Sequence, residues 1–136
     1  MSDALINKAR DAATRAHAPY SNFTVGCAVE AKDGSVALGA NMENACYRLG
    51  VCAEQSALAA AAQAFGLANV TRIAIAGGPR EGDATGVVTP CGGCRQAIME
   101  AAQLSGHDIE VVSAGLEGDA VQVSRISELL PSAFEL

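Results

Sequence analysis

The sequence contains no tryptophan, and aromatic residues make up only 4% of its 136 positions. A core built on large aromatic rings is therefore excluded, and Leu, Val, Ile and Ala must fill it. Hydrophobic residues reach 50% and charged residues 18%, which excludes an intrinsically disordered chain. A chain of this length is expected to form one domain, which we place at residues 1–136.

Basic charge and long apolar runs are also scarce. Nine Lys and Arg residues stand against 15 Asp and Glu residues, so the formal net charge is -6. No cluster of Lys and Arg is present to follow a phosphate backbone, which argues against a nucleic-acid partner. No segment approaches the roughly 18 apolar residues that span a bilayer, and the N-terminal segment has no signal-peptide core. We therefore expect a cytoplasmic protein without a membrane partner.

Hydrophobic periodicity predicts alternating helices and strands. Helices are expected at residues 2–17, 51–65, 91–104 and 126–130, and strands at 25–31, 35–40, 71–76, 109–112 and 121–123. Asp33 and Gly34 are typical of a hairpin turn, and residues 77–86 are expected to form a loop. The order α-β-β-α-β-α-β-β-α indicates an α/β fold, with one mixed five-stranded sheet sandwiched by helices.

Three of the five cysteines lie at predicted helix starts. Cys91 and Cys94 are neighbours on the first turn of one helix, and Cys52 opens another. Helix N-termini favour the thiolate, which is the form that binds zinc. Three protein ligands leave a zinc ion with an open coordination position, as in catalytic sites, whereas structural sites have four ligands. The pattern therefore predicts one Zn²⁺ per chain.

The other cysteines and both histidines are not expected to bind this metal. Cys27 lies in an apolar strand, and Cys46 lies in a loop. His17 lies at the far end of the first helix, and His107 lies in a polar turn. Two other classes stay open at this point: Cys46 completes a closed structural zinc site, or the cysteines at 91 and 94 form a redox dithiol.

Glu54 is the candidate proton carrier, because a carboxylate beside an activated water can accept a proton and deliver it to a leaving group. Residues two apart do not share a helix face, so Cys52 and Glu54 address one metal only if Cys52 lies at the helix start. In isolation, such an acid is more often a first-turn residue favoured by the helix dipole. Its combination with the Pro90–Cys94 pattern favours the catalytic interpretation.

Residues 52–54 (Cys-Ala-Glu) and 90–96 (Pro-Cys-Gly-Gly-Cys-Arg-Gln) resemble the signature of the small cytidine deaminases. The resemblance continues through residues 20–23, 25–26, 41–47 and 129–134, and so spans nearly the whole chain. It implies a cytidine deaminase-like fold and hydrolysis of cytidine and deoxycytidine to uridine, deoxyuridine and ammonia in pyrimidine salvage. By kinship alone it also implies a homotetramer.

The resemblance assigns zinc binding to Cys52, Cys91 and Cys94 and acid/base catalysis to Glu54. It also assigns substrate binding to Phe23, Asn41, Glu43, Ala53, Thr89 and Phe134. Asn41 and Glu43 stand where the family binds ribose hydroxyls, a task suited to an amide and a carboxylate. Phe23 is expected to line the base pocket and Phe134 to reach a neighbouring subunit's site, although either ring is also compatible with an ordinary core position. The Ala53 N–H and the Thr89 carbonyl are expected to hold the base.

Two positions depart from the family pattern. Cys-ligated members usually carry Arg directly after the catalytic Glu, whereas this chain has Gln55. Three thiolates and Zn²⁺ sum to a charge of about -1, and Gln55 and Arg95 are candidates for offsetting it. Arg48 stands where many members have Pro, which leaves open a 5′-phosphate or an altered sugar. Alternative functions are therefore a deaminase of a related aminated nucleoside or antibiotic such as blasticidin S, and a non-catalytic structural zinc protein.

The substitution Gln55→Arg is expected to preserve or raise turnover of the implied deamination. The physical reason is that a guanidinium offsets thiolate charge better than a neutral amide does. Turnover and bound zinc, measured on the same preparations, check this expectation. A large loss of turnover with zinc still bound would contradict it.

Overall fold

Small and β-branched apolar residues form the strands, and Ala-rich segments form the helices that cover them. The computed structural model describes residues 2–136, with side chains described from Ala4 onward. The helices are α1 (Ser2–Ala13), α2 (Ala53–Ala64), α3 (Gly92–Ser105) and α4 (Ile126–Leu129). The strands are β1 (Phe23–Ala31), β2 (Val36–Ala40), β3 (Val70–Pro79), β4 (Glu110–Gly115) and β5 (Val121–Arg125). None of the described helices is both long and apolar enough to cross a bilayer.

The five strands form one mixed sheet in the order β2-β1-β3-β4-β5. β1 pairs antiparallel with both β2 and β3, β3 pairs parallel with β4, and β4 pairs antiparallel with β5. The parallel pair is connected through α3, as a crossover connection requires. The predicted hairpin between β1 and β2 is present, with Gly34 at φ 90° and the Asp33 carboxylate accepting from the Ser35 N–H at 2.9 Å.

Alternating residues of β3 face two different helical layers. Ile73 and Ile75 belong to the core cluster that includes residues of α2 and α3, whereas Ala74 and Ala76 belong to the cluster that includes α1. The small side chains on this face of the sheet allow α1 to lie close to β1. A Cβ added at Gly26 would lie only 2.5 Å from the backbone nitrogen of Ala13 in α1 and would overlap it. The single-domain fold predicted from the sequence, with a mixed sheet sandwiched by helices, is confirmed.

The predicted ends of four elements are wrong. α1 ends at Ala13 rather than at residue 17, because the chain tightens into i→i+3 bonds and then leaves the helix. The His17 N–H instead donates to the Asn41 carbonyl at 3.0 Å. Residues 77–79 belong to β3 rather than to a loop, since they pair with residues 23–25 of β1. β4 and β5 also continue past their predicted ends, to Gly115 and Arg125.

The contact between β2 and α2 is especially tight at Gly39. A Cβ added there would lie 2.7 Å from the Ala57 Cα and 2.8 Å from the Ser56 carbonyl carbon. These are backbone atoms, so a side chain cannot be accommodated by a rotamer change. The absence of a Cβ at Gly39 therefore sets how closely α2 lies against the sheet.

Gly39→Ala is expected to lower the free energy of unfolding by about 1–3 kcal/mol, because the added methyl group pushes α2 away from β2. Urea unfolding followed by circular dichroism measures the change. Gly86→Ala is the matched control, since no atom lies within 4 Å of a Cβ built at that position. Equal stability of the two variants would show that α2 moves without penalty.

Candidate metal centre

The starts of α2 and α3 lie side by side and bring three cysteines together. Cys52 is the N-cap of α2 and Cys91 is the N-cap of α3, both with extended backbone, and Cys94 lies in the first turn of α3. The sulfur atoms of these three residues all lie within 4.8 Å of one another. The convergence of three thiols from two helix starts, expected from the sequence, is therefore present in the fold.

The donor set fits zinc. Tetrahedral Zn²⁺ with thiolate bonds of about 2.3 Å places its sulfur ligands about 3.8 Å apart, which requires the side chains here to close by about 1 Å at most. Sulfur is a preferred zinc ligand, and the two helix N-termini supply positive partial charge beside the thiolates. Cys52, Cys91 and Cys94 are the residues that would hold the ion, and a three-ligand site leaves one coordination position open.

The three thiols have different electrostatic surroundings. The pKa of Cys91 is lowered, first by the backbone N–H of Cys94 and also by its neighbouring thiols. Burial raises the pKa of Cys52 and of Cys94, and the Glu54 carboxylate raises the pKa of Cys94 further. Cys91 is therefore the readiest of the three to ionise, while the half-buried Cys52 and the buried Cys94 lose their protons less readily.

Glu54 lies in the first turn of α2 and is only 5% exposed. Burial raises the pKa of its carboxyl, and its charge affects the pKa of both Cys52 and Cys94. The N-cap position of Cys52 resolves the spacing difficulty, because an extended residue at the helix start does not follow the helical face rule. A buried carboxyl whose charge acts on two of the three thiols is suited to exchange a proton with a neighbouring water or substrate.

The two predicted charge-offsetting residues lie in different places. The Gln55 side-chain amide faces the Cys94 sulfur, with Nε2 and Sγ 3.9 Å apart. Arg95 instead donates from Nε to the Pro90 carbonyl at 2.8 Å and from Nη1 to the Leu129 carbonyl at 3.0 Å. Gln55 is thus a neutral donor at a ligand sulfur, whereas Arg95 ties the residue before Cys91 to the C-terminal segment.

Asn41 and Glu43 are both held by neighbouring backbone. Asn41 accepts from the Val25 N–H and donates to the Phe23 carbonyl, each at 2.9 Å. Glu43 accepts from the backbone N–H of Tyr20 at 3.0 Å and from the N–H and hydroxyl of Ser21. The Ser21 hydroxyl is the main reason why the pKa of Glu43 is lowered. Both side chains are therefore fixed in orientation and partly exposed, and Glu43 is an ionised acceptor.

The remaining predicted substrate residues differ in burial and in position along the chain. Ala53 is fully buried at the first position of α2, and Thr89 is half-buried just before Pro90. Phe23 begins β1 with its side chain 37% exposed. Phe134 is 69% exposed, and its carbonyl accepts from Gln96 Nε2 at 3.3 Å. The C-terminal segment therefore lies against the first turns of α3, with the Phe134 ring in solvent.

The residues predicted not to bind metal lie apart from the three sulfurs. Cys27 is fully buried in β1, and Cys46 is exposed. Over residues 2–136, Cys46 does not join the cluster of sulfur atoms within 4.8 Å, so a closed four-cysteine site is not formed. His17 takes part in a backbone bridge with Met42, and His107 is exposed in the turn after α3.

Comparison with known proteins gives one family. A family model described as the cytidine and deoxycytidylate deaminase zinc-binding region matches residues 1–105. A cytidine deaminase of Halalkalibacterium halodurans is 44% identical over 130 residues, covering 96% of this chain and 91% of that protein. The chain belongs to the cytidine deaminase family. It is accordingly an enzyme of the hydrolase class that acts on C–N bonds and carries a zinc-binding region.

Solved structures of this family share the fold. A cytidine deaminase from Burkholderia pseudomallei matches with a TM-score of 0.84 and 41% identity, covering 98% of this chain and 99% of that chain. A cytidine deaminase from Mycobacterium tuberculosis matches with a TM-score of 0.77 and 32% identity, covering 98% and 97%. The cytidine deaminase-like fold implied by the sequence resemblance is confirmed by both.

Sequence reasoning missed two contacts of this cytidine deaminase-family site. Ser21 fixes the Glu43 carboxylate, and Arg95 fixes the Pro90 carbonyl. Both residues lie inside the motifs that carried the family resemblance, at 20–23 and 90–96, and this was the signal available. Ser21 and Glu43 lie in two separate motifs, 22 positions apart, which only the fold brings together, whereas Arg95 and Pro90 lie five positions apart within one motif.

Cys91→Ser is expected to lose zinc, because a hydroxyl is a poor replacement for a thiolate and only two sulfurs remain. The parent protein is expected to bind about one zinc per chain, and Cys46→Ser is expected to retain it as the matched control. Elemental analysis of proteins dialysed against a weak chelator measures both. Zinc loss from the Cys46→Ser protein would instead indicate a closed four-cysteine site.

Proposed function

We propose that this protein hydrolytically deaminates cytidine and deoxycytidine to uridine and deoxyuridine, releasing ammonia. The observation that carries the proposal is the convergence of three sulfurs at the starts of two helices, with the buried Glu54 carboxyl close enough to raise the pKa of Cys52 and Cys94. This arrangement combines a three-ligand zinc set with a proton carrier, which is what the hydrolysis of an aromatic amidine requires. The names of the matched relatives support cytidine as the substrate.

The reaction exchanges the amino group at C4 of cytosine for a carbonyl oxygen. Water supplies the oxygen that forms the new C4–O bond, the C4–N4 bond breaks, and the nitrogen leaves as ammonia. Cys52, Cys91 and Cys94 would hold the zinc ion, which would supply the Lewis acidity that makes a water nucleophilic near neutral pH. Glu54 takes a proton from the attacking water and gives it to N3, and it then takes the second proton from the new C4 hydroxyl and gives it to the leaving amine. Its raised pKa suits both directions of transfer.

Backbone groups near the metal are assigned to the base. The N–H groups of the first helical turn have no intrahelical acceptor, and Ala53 is the first residue of α2. Its N–H is therefore available to an acceptor of the pyrimidine ring, and the Thr89 carbonyl is available to the exocyclic amine. Phe23 contributes an aromatic wall to the pocket.

Asn41 and Glu43 are assigned to the sugar hydroxyls. Each side chain keeps hydrogen-bonding capacity after its contacts within the protein, because an amide nitrogen has two hydrogens and a carboxylate has four lone-pair sites. Their fixed orientation lowers the entropy lost on binding. The hydroxyl common to ribose and deoxyribose at the 3′ position satisfies this pair, which is why both nucleosides are proposed as substrates.

The assembly is proposed to be a homotetramer acting in cytoplasmic pyrimidine salvage. The exposed ring of Phe134 supports an oligomer, since a ring exposed to this degree is better accounted for by a neighbouring subunit's site than by solvent. Light scattering on the purified protein tests the assembly, and a monomeric mass at working concentration would reject it.

Replacement of Glu54 by Gln is expected to reduce turnover of cytidine and deoxycytidine by about 10²–10⁴-fold while zinc stays bound, because an amide has nearly the same shape but carries no exchangeable acid proton. Glu100→Gln on the exposed side of α3 is the matched control and should behave as the parent. Ammonia release from cytidine, deoxycytidine, CMP, cytosine, adenosine and blasticidin S is followed spectrophotometrically.

The same panel decides between the proposed function and its alternatives. Rapid ammonia release from cytidine and deoxycytidine by the parent protein, with loss of that activity in the Glu54→Gln protein, supports the proposal. Activity confined to blasticidin S, or a preference for CMP over cytidine, would show that the proposed substrate is wrong but that the deamination reaction is right. Inactivity on every compound with about one zinc bound per chain would leave a structural zinc protein.

A further inference from the structure

β5 forms an uncovered edge of the sheet. It is the last strand in the order β2-β1-β3-β4-β5, and Val121 and Val123 are 41% and 56% exposed. These two valines share the face of the sheet that α1 covers further along, since they pair with Ala114 and Val112 of β4. The opposite edge strand, β2, is at least half-buried along its length. The two edge strands of the sheet therefore differ in exposure: β5 is open to solvent, whereas β2 is largely covered.

The outward backbone groups of β5 can be identified from the ladder with β4. The Ile126 N–H donates to the Ile109 carbonyl at 2.9 Å, and the register pairs Gln122 with Ser113 and Ser124 with Val111. Because bonded pairs alternate in an antiparallel ladder, residues 122 and 124 bond to β4, while residues 121, 123 and 125 direct their N–H and C=O groups outward. The Arg125 N–H donates to Glu128 Oε1 at 2.7 Å, which agrees with this assignment.

β5 has few of the features that protect a sheet edge. Such edges are blunted by short length, charged residues, Pro, a bulge or a covering helix, and β5 has only its five-residue length and Arg125 at its end. The strand reads Val-Gln-Val-Ser-Arg, and its register with β4 is continuous from Ala114 to Glu110. It also contains no acidic residue, although the chain as a whole carries a net charge of -6. The edge is thus a ready template for another strand.

We propose that β5 pairs antiparallel with β5 of a second copy of this chain, about a two-fold axis through Gln122. In this register Val121 of each copy lies opposite Val123 of the other, and their outward N–H and C=O groups form four backbone hydrogen bonds. A register centred on Val123 would require the Arg125 N–H, which Glu128 already accepts. The two sheets join into one continuous sheet across the axis.

The side chains are self-complementary in the same register. The exposed valines form two cross-strand pairs on one face, and each such apolar pair stabilises a sheet. The one charged side chain of β5 is Arg125, whose guanidinium donates to the Asp108 carbonyl of its own chain at 3.3 Å. Neither copy of β5 contains an acidic residue, so the paired strands place no two carboxylates opposite each other.

The proposed contact is independent of the deaminase activity and of the proposed tetramer. A five-residue edge buries much less than the roughly 1,600 Å² of a stable interface, so the pair is expected to be weak on its own and populated at high protein concentration. A covalent trap in the intact protein is therefore the appropriate test.

Gln122→Cys in zinc-loaded Cys46→Ser protein is expected to form an interchain disulfide under mild oxidation. Residues at the axis form a non-hydrogen-bonded pair with Cα atoms about 4.5 Å apart, within the range that a disulfide spans. The matched control is Ser124→Cys, because Ser124 lies opposite Ala120 of the second copy in this register. Non-reducing electrophoresis is expected to show at least about tenfold more disulfide-linked dimer for Gln122→Cys than for Ser124→Cys. The reason is that only the paired geometry, and not random collision, holds the two introduced thiols within bonding distance.

Amide exchange in the parent protein gives a second measurement. The Val121 and Val123 amides are expected to exchange more slowly as protein concentration rises, because their outward N–H groups become bonded in the pair. Equal crosslinking of the Gln122→Cys and Ser124→Cys proteins would overturn the proposed register. Fast exchange at Val121 and Val123 at every concentration would overturn the contact itself.

Discussion

Three sulfur atoms must lie within 4.8 Å of one another, and the rest of the site depends on that constraint. It requires the N-termini of α2 and α3 to lie side by side, although one follows β2 and the other follows β3. The helix starts also concentrate unpaired N–H groups at the same place. The fold therefore supplies three sulfur atoms, positive partial charge and unpaired N–H groups from a single juxtaposition of two helix ends.

Close packing of small residues makes the juxtaposition stable. α2 lies so near β2 that Gly39 leaves no room for a Cβ, and Gly26 does the same for α1 on the opposite face. A chain without tryptophan and rich in Ala can pack its layers this closely because the facing side chains are short. The scarcity of aromatic residues is thus connected with the geometry of the site. The few rings that are present, such as Phe23 and Phe134, remain partly in solvent.

The groups that lie next to the three cysteine sulfurs are neutral rather than cationic. Gln55 directs its side-chain amide toward the Cys94 sulfur. The Arg95 guanidinium instead donates to two backbone carbonyls, that of Pro90 just before α3 and that of Leu129 at the end of α4. Glu54 lies inside this environment with a raised pKa, so the carboxyl and the buried thiols compete for the same positive charge. Exchanging Gln55 for a cation changes that balance without moving a ligand.

Local patterns read within one or two turns are enough to predict the order of helices and strands, the three cysteines at helix starts and the acid two residues after the first of them. Where the elements end depends on packing: residues 77–79 are strand because they pair with β1, and α1 tightens into i→i+3 bonds after Ala13 before His17 bonds to Asn41. The tertiary structure also decides the contacts of Glu43 with Ser21 and of Arg95 with Leu129. Those pairs join residues 22 and 34 positions apart, and hydrogen bonds over such separations depend on how the chain packs rather than on any local pattern.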